Sequence, residues 1–278
     1  MGEDTWSRLE TARAAMVTGD LAGAATILLI LADGQNVPEA HHLLGGLYFM
    51  DDRLDDVCRE FERAFRGYRD RGDRRMAARV GADLAQLHHD TFGNVAAGRG
   101  WVERSRRLLE QCGHCVEWGY LELALIACGR DDVDDLLASA DRALAIAAEF
   151  DDHDLEVRAL ADGGLALVTA GRIEEGFRHL DEAMVAITAG EVQDPFAAGM
   201  SFCSMLSSCQ RVGDVARAEE WTRLIRVAML EPLGGRPAVM HTHCLLAYGS
   251  VLLGAGRWTE AEELLTEGFG PAGSRNAI

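Results

Sequence analysis

The sequence contains no lysine: all 27 of its basic residues are arginine. That excludes a P-loop lysine, a Schiff-base lysine and a lysine general base, so several enzyme classes fall together. There are only five prolines, nine phenylalanines and four tyrosines in 278 residues. Strands have little to work with, whereas runs rich in Ala, Leu, Arg and Glu favour helix throughout. The longest apolar run near the N-terminus, AATILLILA from Ala24, is too short to span a bilayer, and no basic region precedes it. The reading is a cytoplasmic, all-α chain with no membrane partner.

Positive charge is also in deficit. The net charge of −18 and pI near 4.8 oppose a phosphate backbone, because nucleic-acid binding depends on clustered cations that release counterions. Direct contact with nucleic acid is therefore not expected. Seven cysteines, an odd number at positions 58, 112, 115, 128, 203, 209 and 244, do not form the framework of a small secreted domain. Their thiols are expected to be reduced.

What the chain does have is repetition. GRIEEGFRHLDEAM, from Gly171 to Met184, is a tight turn followed by a helix with small residues at Gly176 and Ala183 and a large apolar one at Leu180. Such a helix buries one narrow stripe and needs copies of itself to make a core. Those copies are present. The residue four or five after each turn is Ala24, Val57, Gly98, Leu136, Gly176, Ala218 or Ala261, at spacings of 33, 41, 38, 40, 42 and 43 residues. Each unit holds two helices joined by a turn such as Gly213-Asp214 or Gly256-Arg257, which predicts stacked helical hairpins in one array over 1–278. The approximate repeats are 5–36, 37–72, 73–113, 114–151, 152–192, 193–234 and 235–270.

Several of these positions resemble the tetratricopeptide repeat. Leu44-Gly45 with Tyr48 matches the first-helix pattern of that family, Gly213-Asp214 with Ala218 and Gly256-Arg257 with Ala261 match its turn, and Ala143-Leu144 matches its second helix. The closing proline is mostly missing, and Gly98 and Leu136 stand where the family has Ala. The resemblance implies a right-handed superhelix of about seven hairpins, an α-solenoid. A narrower resemblance covers roughly Asp162 to Leu265, where LDEAMVAITAGEVQDPFAAGMSFCSMLSSCQRVGDVARAEEW and GSVLLGAGRWTEAEELL look like the repeat region of large LuxR-type transcriptional regulators of actinobacteria. It implies the sensor or interaction part of a regulator, without a DNA-binding domain of its own.

The hairpin resemblance also implies a concave wall built by first helices. Carrying the repeat register across places His42, Asp83, Trp118, Leu121, Leu125, Arg158, Met200, Cys203, Gln210, His243 and Leu246 on it. Aromatic, apolar and a few polar groups together suit a protein or peptide segment or a small effector; alternatively, long helices fill the groove with packing. The last hairpin, carrying Leu264, Leu265 and Phe269, suggests self-association through the C-terminal repeat.

Other chemistry is weaker. Cys112-Gly-His-Cys115 has the CxxC spacing of a metal or redox pair, but no second CxxC accompanies it. Cys203, His241 and Cys244 offer an alternative metal-binding or redox-responsive set, against a plain packing role. Clustered carboxylates at Asp51, Asp52, Asp55 and Asp56, and at Asp131, Asp132, Asp134 and Asp135, lack the calcium loop and read as helix caps. No nucleophile elbow or ordered triad stands out. The expectation is a non-enzymatic binding module with no cofactor.

Overall fold

The computed structural model describes residues 3–35, 37–50, 53–129, 132–225, 227 and 242–269. Among these residues there are fourteen α-helices and no strand. They are α1 (Glu3–Val17), α2 (Leu21–Gln35), α3 (Pro38–Met50), α4 (Leu54–Asp70), α5 (Arg74–Gln86), α6 (Val95–Leu109), α7 (Glu117–Cys128), α8 (Val133–Phe150), α9 (His153–Thr169), α10 (Ile173–Thr188), α11 (Pro195–Val212), α12 (Val215–Ile225), α13 (Thr242–Gly254) and α14 (Trp258–Phe269). Helices pack in sequence order as antiparallel pairs, α1 on α2 through to α13 on α14.

Local chemistry sets the helix ends. The turns between paired helices use glycines at positive φ, such as Gly171 at 82° and Gly213 at 72°, a region closed to most side chains. Carboxylates cap the starts. Asp132, Asp152 and Asp194 each accept a hydrogen bond from a first-turn amide, at 3.0, 2.9 and 2.9 Å, which satisfies donors the helix cannot. Of the two carboxylate clusters, Asp132 acts as a cap, as the sequence suggested, whereas Asp56 pairs with Arg53 and Arg59 and α4 starts without a side-chain cap; Asp51, Asp52 and Asp131 lie outside the described residues.

Within a hairpin, small residues bring the helices together. A Cβ on Gly176 would lie 2.6 Å from the carbonyl oxygen of Gly164 on α9, and one on Gly45 would lie 2.2 Å from the ring of Phe61 on α4. Ala218 and Ala261 are fully buried at the corresponding place in α12 and α14. The large partners, such as Leu180 and Phe61, fill the space between hairpins, so each pair covers its neighbour's apolar stripe.

The stack also folds back on itself, which nearest-neighbour reasoning does not predict. Phe196 of α11 belongs to the core of α3, α4 and α5, with its ring centroid 4.6 Å from that of Phe49 and 5.7 Å from that of Phe61. Asp194 at the start of α11 also meets Arg79 of α5, at 3.3 Å. At the other end, Leu21 of α2 packs against the core of α9 to α13. The superhelix therefore closes across its inner face, and α11 docks onto the second and third hairpins.

Candidate functional site

Where α11 meets α3 and α5, the inner face carries a connected set of charged side chains. Arg79 stacks over the ring of Tyr120 at 3.3 Å and pairs with Asp83 and Asp194. His42 approaches Asp83 at 3.4 Å and meets Phe61 edge-on. Burial pushes the Asp83 carboxyl up, but Arg79 and His42 outweigh it and hold the group below its ordinary range. The Tyr120 hydroxyl donates to both carboxylate oxygens of Asp152, at 2.8 and 3.0 Å. One polar chain thus ties α3, α5, α7, α9 and α11 together.

A second group lies around Arg158, which is only 3% exposed. Its Nη2 donates to Gln86 Oε1 on α5 at 2.6 Å and to Asp162 Oδ2 one turn on at 3.0 Å. Asp162 Oδ1 accepts from the Ser204 hydroxyl of α11 at 3.0 Å. The Nε of Arg158 is buried and has no protein partner, which is costly for a charged donor unless something supplies an acceptor.

Beside this group, the continuation of α5 relaxes into a π-helical turn, Leu87–Thr91. Extra residues of this kind inside helices recur at functional positions. Here the turn presents His89 and Asp90, whose Nδ1 and Oδ1 lie 2.8 Å apart. The Asp90 side chain keeps 39% of its surface. Burial nevertheless raises its pKa, with Asp162 adding to the rise and His89 and Arg158 opposing it.

The residues picked from the sequence scatter across this geometry. His42, Asp83 and Arg158 belong to the inner polar groups, and Met200 packs against the Phe49 to Tyr68 core. Leu121 is buried in the core of α5 to α9, with Leu125 and Trp118 packed against it; Trp118 Nε1 donates to Gly113 O at 3.0 Å. Gln210 is exposed. Nothing is described of the His243 side chain, and His241 lies outside the described residues. Asp90 was missed because it lies in the π-helical turn, where a register carried at constant spacing slips; Gln86, Asp162 and Ser204 join the group only through contacts between helices that no local pattern marks.

The cysteines require a correction. Cys203 and Cys244 form a disulfide between α11 and α13, with Cα atoms 5.4 Å apart, so these thiols are not reduced as expected. Their sulfurs are bonded to each other and face along the stack, which removes both as thiolate ligands in the set with His241. Cys112 and Cys115 are free, but Cys112 Sγ donates to Leu108 O at 3.2 Å and burial pushes the Cys115 thiol up to about 11. Burial likewise raises Cys58 to about 11 and Cys128 and Cys209 to about 12, the opposite of a reactive thiolate. Among the described residues, no three His, Cys, Asp or Glu side chains are grouped to hold a metal, and no helix is long and apolar enough to cross a membrane.

Paired helices with glycine turns, small-residue contacts and stacked cores define a tetratricopeptide-like α-solenoid. No family model matches the chain, and no curated protein matches it either. Solved structures do resemble it. One is a signal transduction ATPase with numerous domains (STAND) protein with a tetratricopeptide repeat sensor from Pyrococcus horikoshii, at 15% identity and a TM-score of 0.49. The similarity covers 87% of this chain and 36% of that one, so the chain spans little more than a third of its length. Another is aspartyl phosphate phosphatase F from Bacillus subtilis, at 11% identity and a TM-score of 0.46, covering 88% of this chain and 70% of that one.

Proposed function

We propose that this array is a non-enzymatic binding module, the sensor or interaction part of a LuxR-type transcriptional regulator, whose inner face engages a peptide segment or a small effector. The observation that carries the reading is the buried Arg158, which has an unpartnered Nε and is held by Gln86 and Asp162. An incomplete set of charged and polar hydrogen-bonding groups, held by the third and fifth hairpins, supports recognition of a polar ligand whose binding is felt by both. The regulator assignment rests on the Asp162 to Leu265 resemblance. DNA contact belongs to another segment or chain, since the net charge is −18.

The test is a thermal-shift screen of the full chain against short peptides and small metabolites, repeated with Asp90→Asn and Arg158→Met. Compounds that stabilise the unmodified protein should lose most of that effect in both variants. Equal stabilisation of all three proteins would remove the inner face from the reading. A second reading, redox response, is favoured by the Cys203–Cys244 disulfide alone.

A further inference from the structure

The side chains that carry the recognition reading are out of reach in this structure. Arg158 is 3% exposed and Gln86 2%, and a ligand cannot bond to an atom that it cannot touch. The start of α11 closes over them. The ring centroid of Phe196 lies 5.9 Å from the Arg158 guanidinium carbon, and Ser204, further along the same helix, holds Asp162. The same stretch reaches across to the second and third hairpins. Phe196 sits on Phe49 and Phe61, Met200 packs on the same core, and Asp194 meets Arg79 at 3.3 Å.

The stack does not need this bridge to be continuous. Helices α5 and α9 both pack on α7 of the fourth hairpin, and α11 packs on α9. The path from α3 to α11 therefore runs through nearest neighbours, with the bridge laid across it. The bridge joins side chains of elements far apart in the chain: the aromatic cluster around Phe196, the Arg79–Asp194 pair, the Gln86–Arg158 bond and, from the first hairpin, Leu21 on the core of α9 to α13. Arrays of hairpins change shape by small rotations at the joints between units, which open or close such bridges as a whole.

The closed contact is also incompletely satisfied. The Nε of Arg158 and the hydroxyl of Ser201, a fully buried residue of α11, have no protein partner. Buried polar groups in a settled core are bonded. Each one left over destabilises the closed form relative to one in which water reaches it.

We propose that the first turns of α11 are a lid on the inner site, that this structure is its closed form, and that Arg158 is uncovered when Asp194 and Phe196 leave the second and third hairpins, with the fourth hairpin as hinge. The proposal rests on the reading that Arg158 takes part in recognition. A ligand that fills the free Nε then binds the open form and shifts the population toward it. Occupancy of a buried arginine is passed on as a change in the curvature of the array.

The experiment uses the full chain without ligand. Exposed Arg74 at the start of α5 and exposed Glu191 ahead of α11 are changed to cysteine and spin-labelled, in a Cys58→Ser/Cys112→Ser background. That background leaves Cys115, Cys128 and Cys209 buried and Cys203 bonded to Cys244. A control pair, Glu191→Cys with Arg211→Cys, lies on one side of the bridge. Pulsed dipolar spectroscopy should show one dominant distance for the first pair, with an open population of about 10% or less. Asp194→Asn keeps the acceptor that caps the Phe196 amide and removes the charge facing Arg79. Asp194→Asn/Phe196→Leu should make a second, longer distance the major one, while helicity and the control distance stay as they were.

An unchanged distance in the double variant overturns the proposal. Loss of helicity or of the control distance does so too, because α11 would then belong to one cooperative core. Opening in the double variant upholds the lid even when no compound in the thermal-shift screen stabilises the chain, whereas an Arg158-dependent compound found for a chain that never opens sinks the lid alone.

Discussion

The ring of Phe196 lies 4.6 Å from that of Phe49, although the two residues belong to α11 and α3. A stack of hairpins that touched only nearest neighbours would keep these residues apart. The contact puts a buried aromatic from the sixth helix pair into the core of the second. Phe196→Ala should therefore do two things at once. It should destabilise the fold by about 3–5 kcal/mol, the usual range for a buried phenylalanine, and it should expand the superhelix. Denaturant unfolding and small-angle scattering on the same variant test this. A normal radius of gyration with an unchanged midpoint would mean that α11 is held against α3 by something else.

The disulfide predicts a thiol count. In denaturant without reductant, five cysteines should react, namely 58, 112, 115, 128 and 209; after reduction all seven should. Closing a loop with a sequence separation of 41 residues stabilises by about 2–4 kcal/mol, so Cys203→Ser/Cys244→Ser should unfold correspondingly earlier. Seven reactive thiols before reduction would show that the bond is absent in solution.

Asp154 predicts a pH dependence. Its Oδ1 accepts from the amides of Gln193 and Asp194, at 2.8 and 3.2 Å. Burial, followed by the nearby charge of Asp194, nonetheless raises its pKa to about 6. The folded state therefore binds a proton more tightly than the unfolded chain does, so stability from this group falls as pH rises from about 4 to about 6. Asp154→Asn keeps the acceptor and removes the charge. It should flatten the stability profile across that window and stabilise the protein at neutral pH by on the order of 1 kcal/mol. A profile identical to that of the unmodified chain would show that Asp154 does not titrate there.

Two glycines five residues apart in sequence should differ in kind. Gly176→Val places a side chain against the Gly164 carbonyl, where even a Cβ would be 2.6 Å away. The helices must separate, with a loss of several kcal/mol, at least the 1–3 kcal/mol typical of overpacking. Gly171 faces open space at φ +82°, so Gly171→Ala should cost only about 1 kcal/mol through backbone strain. Thermal unfolding of both variants checks the order, and comparable losses would refute this account of the hairpin.

The hairpin pattern was legible because its causes are local: turn glycines, acidic caps, and small residues such as Gly176 and Ala261 recurring near every forty residues. The folding back of α11 onto α3 was not. It depends on small rotations between successive hairpins that add up over four repeats, and no single residue encodes them. The same accumulation decides that Cys203 faces Cys244 and not a groove. The inner site was half legible. His42, Asp83 and Arg158 belong to its polar groups, whereas Asp90 lies in the π-helical turn Leu87–Thr91, for which His88-His89-Asp90 ahead of Phe92-Gly93 was the available hint, and Asp162 enters through its contact with Ser204 of another hairpin.

The backbone-to-backbone contact of Gly164 with Gly176 has a mechanical consequence. Where the two backbones meet, with the Leu180 and Val168 side chains closed in around them, a tilt of α9 against α10 has little slack to use, so this pair behaves as a stiff unit. Any change of curvature in the array has to be taken up at joints between hairpins, where long side chains such as Arg217 on Asp181 and Arg257 on Glu219 can pivot without losing their partners. Bending on ligand binding should therefore be read at those arginines, which makes them the natural places for a reporter label.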